Sequence, residues 1–111
     1  MAYDEALAAR IRDRIGAAPD VSEKKMFGGL AFLIGGNMAV AASGQGGILV
    51  RVDPEQSDAL VAGTPAEPME MRGRQMHGWL RLRSDDVETK KQLSEWVERG
   101  VRFAQSLPAK R

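Results

Sequence analysis

The stretch Lys24-Lys25-Met26-Phe27-Gly28-Gly29-Leu30-Ala31-Phe32-Leu33-Ile34 opens a run of sequence that contains no charged residue until Arg51. A run of this length could cross a bilayer as a helix. It is interrupted by seven glycines and by Asn37, Ser43 and Gln45, whose polar groups would find no hydrogen-bonding partner in hydrocarbon. The run therefore predicts short strands joined by turns, and no membrane segment.

Two glycine-rich clusters divide this run into three apolar segments. The clusters, Gly35-Gly36-Asn37 and Ser43-Gly44-Gln45-Gly46-Gly47, contain residue types that tolerate positive φ and therefore favour turns. The apolar segments, residues 30–34, 38–42 and 48–52, have the length of strands. We therefore predict two hairpins, preceded by a glycine pair at residues 28–29 that marks a bulge or the close approach of another backbone.

The composition is that of one small globular domain, and we expect residues 1–111 to fold as a single unit. Sixteen lysines and arginines against fifteen acidic residues give a net charge of +1, so the overall charge predicts no nucleic-acid partner. The sequence contains no cysteine, which excludes disulfides, thiolate catalysis and cysteine-ligated metals. The first residues lack the basic start and apolar stretch of a signal peptide, and we expect a cytoplasmic protein.

Three segments have the spacing of helices. Apolar residues recur at three- and four-residue intervals over residues 4–15, which predicts a helix that ends near Gly16. Asp53-Pro54 is typical of an N-cap followed by a first-turn proline, and it predicts a short second helix. We expect Ser84-Asp85-Asp86 to cap a long last helix, whose apolar stripe runs from Leu93 to Ala104.

A second pair of strands is predicted at residues 69–72 and 78–83, where Leu80 and Leu82 alternate with bulky or charged residues. The predicted order is helix, three strands, helix, two strands, helix. Because short glycine turns join the strands, we predict a two-layer α+β fold with a mainly antiparallel, five-stranded sheet and helices on one face. The predicted core comprises Leu7, Ile11, Ile15, Phe32, Val40, Ile48, Val50, Leu80, Leu82, Leu93, Val97 and Val101.

Five motifs, in this order and spacing, resemble the N-terminal domain of the TfoX/Sxy family. They are Lys25-Met26-Phe27-Gly28-Gly29, Gly36-Asn37-Met38, Leu49-Val50-Arg51-Val52, Met76-His77-Gly78-Trp79 and Glu95-Trp96-Val97. The family is linked to the regulation of bacterial competence for DNA uptake, so the resemblance implies a two-layer α+β domain with a regulatory role. Its regulatory members typically carry a second, helical domain. The resemblance to the first domain spans nearly the whole of this sequence, so we expect a stand-alone first domain here.

No pattern in the sequence is typical of an active site. His77 is the one histidine, so a zinc site would need carboxylate or solvent ligands around it. Gly44-Gln45-Gly46-Gly47 is followed by a predicted strand, whereas a dinucleotide-binding loop precedes a helix. Capping already explains the carboxylates of Asp85, Asp86 and Glu88. We therefore expect no catalytic residue, no cofactor, no metal and no enzymatic activity.

One segment, residues 72–83, concentrates positive charge without an intervening acid. Alternation places Trp79, Arg81 and Arg83 on one strand face, where an aromatic ring and two guanidinium groups could contact phosphates or bases. Alternatively the arginines pair with Asp85, Asp86 and Glu88 or line a solvated sheet face, while Trp79 packs on a loop or a subunit interface. A net charge near zero favours this second interpretation. The candidate interaction surface comprises Arg72, Arg74, His77, Trp79, Arg81 and Arg83.

Three function classes fit these patterns. We first expect a non-enzymatic regulatory or protein-interaction module, whose exposed sheet face or edge strand recruits a partner protein such as a transcription regulator. The alternative is a small-molecule-binding protein or enzyme with a cleft near Phe27–Gly29 and His77. The third is weak nucleic-acid binding through residues 72–83. We also expect a homodimer, because Leu49 and Trp79 alternate onto the sheet face away from the helices.

Overall fold

The computed structural model describes residues 3–16, 20–26, 28–71 and 73–108. Its helices and strands, in chain order, are α1 (Glu5–Ile15), β1 (Val21–Met26), β2 (Gly29–Ile34), β3 (Asn37–Ala42), β4 (Ile48–Arg51), α2 (Pro54–Gly63), β5 (Glu67–Met71), β6 (Arg74–Leu82) and α3 (Lys90–Ser106). A short 3₁₀ helix, Ser84–Val87, lies between β6 and α3. No helix in the described ranges is long and apolar enough to cross a membrane.

The sheet has six strands in the order β1-β2-β3-β4-β6-β5, and every neighbouring pair is antiparallel. The predicted α+β class and antiparallel sheet are therefore confirmed. The predicted count of five strands, and with it the predicted element order, is wrong because Val21–Met26 forms an additional strand at one edge. Four of its six residues are exposed, so its sequence lacks the apolar alternation of a half-buried strand.

Capping residues set the ends of the first two helices as predicted. The side chain of Asp4 accepts hydrogen bonds from the backbone N–H groups of Ala6 and Leu7 at the start of α1. Gly16 ends this helix with a φ of 60° and donates its N–H to the Arg12 carbonyl. The α2 helix begins at Pro54, and its N-cap Asp53 accepts a hydrogen bond from the N–H of Glu55.

The last helix begins later than predicted. Ser84 opens the 3₁₀ turn, which ends at the fully buried Val87. Thr89 is the N-cap of α3: its hydroxyl accepts a hydrogen bond from the N–H of Gln92, and the Gln92 side chain accepts one from the N–H of Thr89, both at 3.0 Å. The predicted Ser84-Asp85-Asp86 cap is therefore wrong, because the reciprocal pair at Thr89 satisfies two backbone donors at once.

One face of the sheet packs against all three helices and holds the main core. Every predicted core residue except Val101 is buried, and Val101 is half-buried against the same cluster. The contribution of α2 is smaller: Leu60 and Val61 are only partly buried at the margin of the cluster. Phe32 is fully buried at its centre. The helical and strand periodicities of the sequence therefore identify this face correctly.

The opposite face, called the outer face below, carries a second apolar cluster made of strand residues only. Its buried members are Ala31, Met38, Ala41, Leu49 and Met69, and Met26, Leu33 and Trp79 are half-buried around them. A row of cross-strand neighbours on this face runs Lys24, Ala31, Ala41, Leu49, Arg81, Glu67. Leu49 is only 5% exposed, so its burial needs no second subunit. The homodimer therefore stays a prediction, which now rests on the half-buried Trp79 alone.

Candidate interaction surface

Alternation along β6 places its side chains as predicted. Leu80 and Leu82 are buried in the main core, while Trp79 and Arg81, which alternate with them, belong to the other side of the sheet. Arg72 lies outside the described residues. The remaining members of the candidate surface are Trp79 and Arg81, which are half-buried, and Arg74, His77 and Arg83, which are exposed.

The arginines at the end of β6 face acidic and amide groups. A guanidinium N–H of Arg81 donates a hydrogen bond to the side-chain oxygen of Gln45. A guanidinium nitrogen of Arg83 lies 3.6 Å from a carboxylate oxygen of Glu67, and both side chains are largely exposed. Glu70 lines the same surface cleft, which has a volume of about 480 Å³. Two arginines and two glutamates thus share one cleft, and their charges balance.

The acids of residues 85–88 do not supply these ion pairs. In the described residues the Asp86 carboxylate accepts a hydrogen bond from the backbone N–H of Arg83, at 3.2 Å. The main-chain carbonyl of Glu88, rather than its carboxylate, accepts a hydrogen bond from Arg10 at 2.8 Å. For the arginines that the structure describes, the expected pairing with these acids is therefore wrong, whereas the exposed Arg74 and Arg83 fit the alternative of a solvated face. Glu67 pairs with Arg83 instead, because the antiparallel register of β5 and β6 places it beside the strand end.

The indole of Trp79 is occupied by an arginine of the same chain. Arg51 and Trp79 are directly paired across β4 and β6. The guanidinium carbon of Arg51 lies 5.3 Å from the Trp79 ring centroid and 5.4 Å from that of Phe103, which are cation–π distances. This contact joins the outer face to helix α3. Because the ring already binds a cation, the structure does not offer it as an open platform for stacking bases.

The hairpin at the start of the glycine-rich run is formed by β1 and β2. Met26 pairs with Gly29 at its end. Gly28 is exposed with a φ of 73°, and Phe27 lies outside the described residues. A β-carbon on Gly29 would overlap the carbonyl oxygen of Ala42 in β3. The close backbone approach predicted for this glycine pair is therefore confirmed at Gly29.

The hairpin and His77 lie at opposite ends of the sheet. Gly29 adjoins Ala42, whose partner Ile48 begins β4. Gly78, the residue after His77, accepts a hydrogen bond from the N–H of Val52, beyond the other end of β4. The described residues Gly28, Gly29 and His77 therefore do not line one cleft. Phe27 lies outside the described residues, and small-molecule binding stays a prediction without support from this arrangement.

The family assignment rests on a comparison with protein-family models. The model of the TfoX N-terminal domain matches residues 13–104. The chain belongs to this family. No curated protein matches the sequence.

In this TfoX N-terminal domain, the Met76-His77-Gly78-Trp79 motif forms an irregularity in β6. Leu80 pairs with Pro68 and Met76 pairs with Met69, so residues 77–79 have no register partner on β5. The pairing of β6 with β4 begins at Trp79, and its pairing with β5 resumes at Leu80. The motif is thus explained by sheet geometry, since such irregularities bend a strand and redirect its side chains.

Gly78 fixes this bend to the neighbouring elements. Its φ is 85°, and a β-carbon would lie 2.9 Å from the carbonyl oxygen of Val52 and 3.1 Å from Cγ of Pro54. Its N–H donates to the hydroxyl of the buried Ser57 in α2, at 3.4 Å. The adjacent His77 is exposed and lines a cleft of about 250 Å³ beside α2. In the described residues no three acidic or histidine side chains are grouped to hold a metal ion.

The sequence prediction missed strand β1 of the TfoX domain, which forms one edge of the sheet. The N–H of Gly35 donates to the carbonyl of Asp20 at 3.0 Å. Since hydrogen bonding alternates along an antiparallel strand, the peptide groups of Val21, Glu23 and Lys25 point away from β2. The glycine pair at residues 28–29, ahead of a predicted strand, is the turn signal that could have revealed β1.

Glu23 is the only residue of β1 with a described ion pair. Its carboxylate accepts hydrogen bonds from Nε and Nη2 of Arg12 in α1, at 2.6 and 2.8 Å. These bonds hold the pKa of Glu23 below its ordinary value and raise the pKa of Arg12. No described ion pair involves Lys24 or Lys25, both exposed. The edge therefore carries two lysine charges beside a neutralised Glu23.

Proposed function

We propose that the chain is a non-enzymatic regulatory module that acts by binding a partner protein. The observation that supports this most is the edge strand β1, which pairs only with β2 in the described part of the chain, and whose outward peptide groups and exposed residues 22–25 lie on the surface. An unpaired strand edge is a template for an added strand, and proteins use it for recognition. Membership of the TfoX N-terminal domain family, through its link to competence regulation, fits such a role.

Nucleic-acid binding has less support. Arg81 and Arg83 of the candidate surface share their cleft with Glu67 and Glu70, so phosphates there would meet carboxylates as well as guanidinium groups. Trp79 is engaged by Arg51. Non-specific affinity for nucleic acid depends on the number of phosphates that a protein neutralises, and this surface offers few unopposed charges.

Affinity purification tests the proposal. The tagged chain is purified from its source cell, bound proteins are identified by mass spectrometry, and each candidate is then tested for binding with purified components. We expect one protein to bind directly, and a transcription regulator would fit the family best. If no candidate binds directly and a metabolite is instead retained in stoichiometric amount, the proposal is wrong and small-molecule binding is favoured.

A further inference from the structure

The side chains of β1 place positive charge on both sides of its edge. Lys24 is the cross-strand neighbour of Ala31, so it belongs to the outer face. Lys25 is the neighbour of Leu30, which lies in the main core, so it belongs to the helix-facing side. Between them runs the row of outward peptide groups at Val21, Glu23 and Lys25. An added strand would therefore meet one lysine above the sheet plane and one below it.

A second copy of β1 is a poor occupant of this edge. In a continuous sheet of two copies, the same face of each β1 strand would lie on the same side. Two identical antiparallel strands achieve this about a two-fold axis, which places one residue directly opposite the same residue of the other copy. The two central residues of β1 are Glu23 and Lys24, so a register centred on either puts two like charges directly opposite. The register centred on Lys24 also places Glu23 opposite Lys25, but Arg12 already neutralises Glu23, so this pair compensates little. Like charges in that position destabilise strand pairing. Lysines on an edge are also a known protection against self-pairing.

An acidic strand meets no such penalty. A segment with two consecutive acidic residues would place one carboxylate opposite Lys24 and the other opposite Lys25, because successive side chains alternate between faces. Glu23 already accepts two hydrogen bonds from Arg12 and adds little repulsion. Each opposite-charge cross-strand pair adds to the backbone hydrogen bonds that hold the added strand.

We propose that β1 binds an extended, acidic segment of a partner protein by adding it as a seventh strand beside the six of the sheet. This inference rests on the proposed function, since it names the surface and the chemistry of the partner. The edge strand β5 of another copy is also acidic, through Glu67 and Glu70, but it contains Pro68, which cannot donate a ladder hydrogen bond. The expected occupant is therefore a different chain.

A synthetic peptide tests the edge directly. The probe has two consecutive glutamates flanked on each side by valine and threonine, and the matched control peptide has lysines in place of the glutamates. The peptides are titrated to millimolar concentration into the ¹⁵N-labelled chain, and amide shifts are followed by NMR. We expect the acidic probe to shift the amides of residues 21–26, most strongly Val21, Glu23 and Lys25, and the basic peptide to leave them unchanged.

Substitutions then separate charge from backbone pairing. Lys24→Glu should weaken binding of the acidic probe about tenfold, because it replaces attraction by repulsion. Lys91→Glu on α3 changes the net charge equally but lies in another element, and it should have no effect. Lys25→Pro removes an outward N–H without breaking the ladder to β2 and should abolish binding, whereas Lys25→Ala should weaken it only about threefold.

Several outcomes would overturn the proposal. The first is that the β1 amides do not shift at millimolar concentrations of the acidic probe. The second is that the basic peptide binds equally well. The third is that shifts are confined to β5 or to the cleft of Arg81 and Arg83. Should Lys25→Pro fail to fold, unchanged binding by a folded Lys24→Glu protein is equally decisive. Self-association that Lys24→Glu abolishes would make a second copy the occupant. A purified partner that binds Lys24→Glu and wild type equally would refute this surface while leaving the proposed function intact.

Discussion

Gly100 of α3 lies directly against the backbone of Ala39 in β3. A β-carbon at position 100 would overlap the Ala39 carbonyl oxygen and would lie 3.3 Å from a methyl group of Val50. The missing side chain therefore allows α3 to approach the middle of the sheet, with Trp96 and Ala104 of the same helix buried on either side of the contact. This contact couples the longest helix to β3 and β4, the two central strands of the sheet.

Gly100→Ala should destabilise the domain. Alanine is favoured over glycine within a helix by about 1 kcal/mol, but the new methyl group meets a backbone carbonyl that cannot rotate away. We expect the overlap to outweigh the helix gain and lower the free energy of unfolding by about 2 kcal/mol. Urea denaturation measures this change. Gly63→Ala, at a position with nothing within 4 Å of the added carbon, should be neutral or slightly stabilising.

Thr89→Ala should cost far more stability than Ser84→Ala. Thr89 and Gln92 exchange two hydrogen bonds at the start of α3, and loss of an N-cap typically costs about 1 kcal/mol. Ser84 is exposed and precedes only the 3₁₀ turn, so its replacement should change the free energy of unfolding by less than about 0.5 kcal/mol. Thermal and urea denaturation of both variants test the order. The reverse order would restore the sequence-based cap at Ser84.

Periodicity predicted the helix-facing core because burial there follows the spacing of the elements. It failed at β1, since an edge strand has one neighbour and Ser22 to Lys25 remain in solvent on both faces. The sequence also misplaced the start of the last helix, because the segments that begin at Ser84 and at Thr89 both resemble N-caps. The burial of Val87, which separates the 3₁₀ turn from α3, is visible only in the structure.

For the candidate surface, the sequence predicted the strand face of the side chains but not their partners. Alternation along β6 placed Trp79 and Arg81 on the outer face, because that follows from the strand period alone. The partners of these side chains depend on strand register. Glu67 beside Arg83 and Arg51 beside Trp79 come from other strands, and their positions follow from pairings that no local pattern specifies.

Double substitution of Arg81 and Arg83 tests the charge balance of their cleft. We expect the wild-type chain to bind duplex DNA weakly, with affinity that falls steeply as salt rises. Arg81→Ala combined with Arg83→Ala should lower any such affinity for all sequences alike and reduce the slope of log affinity against log salt by at most about 2. Fluorescence anisotropy at several salt concentrations measures both. Tight, sequence-selective binding at physiological salt would contradict the assignment of a protein partner.

Arg12→Gln should raise the pKa of the Glu23 carboxyl towards its ordinary value, because it removes the two guanidinium hydrogen bonds that lower it. A lowered folded-state pKa means that the pair stabilises the domain above the ordinary carboxyl pKa and loses this effect as pH falls through the folded-state value. The stability difference between wild type and variant should therefore be largest near neutral pH and shrink below about pH 4. Carboxyl ¹³C NMR titration and urea denaturation at each pH measure the two effects. Arg14→Gln is the matched control: it should raise the pKa of Asp13, which Arg14 holds low, and leave the pKa of Glu23 unchanged. An ordinary Glu23 pKa in the wild-type chain would show that the Arg12–Glu23 pair does not persist in solution.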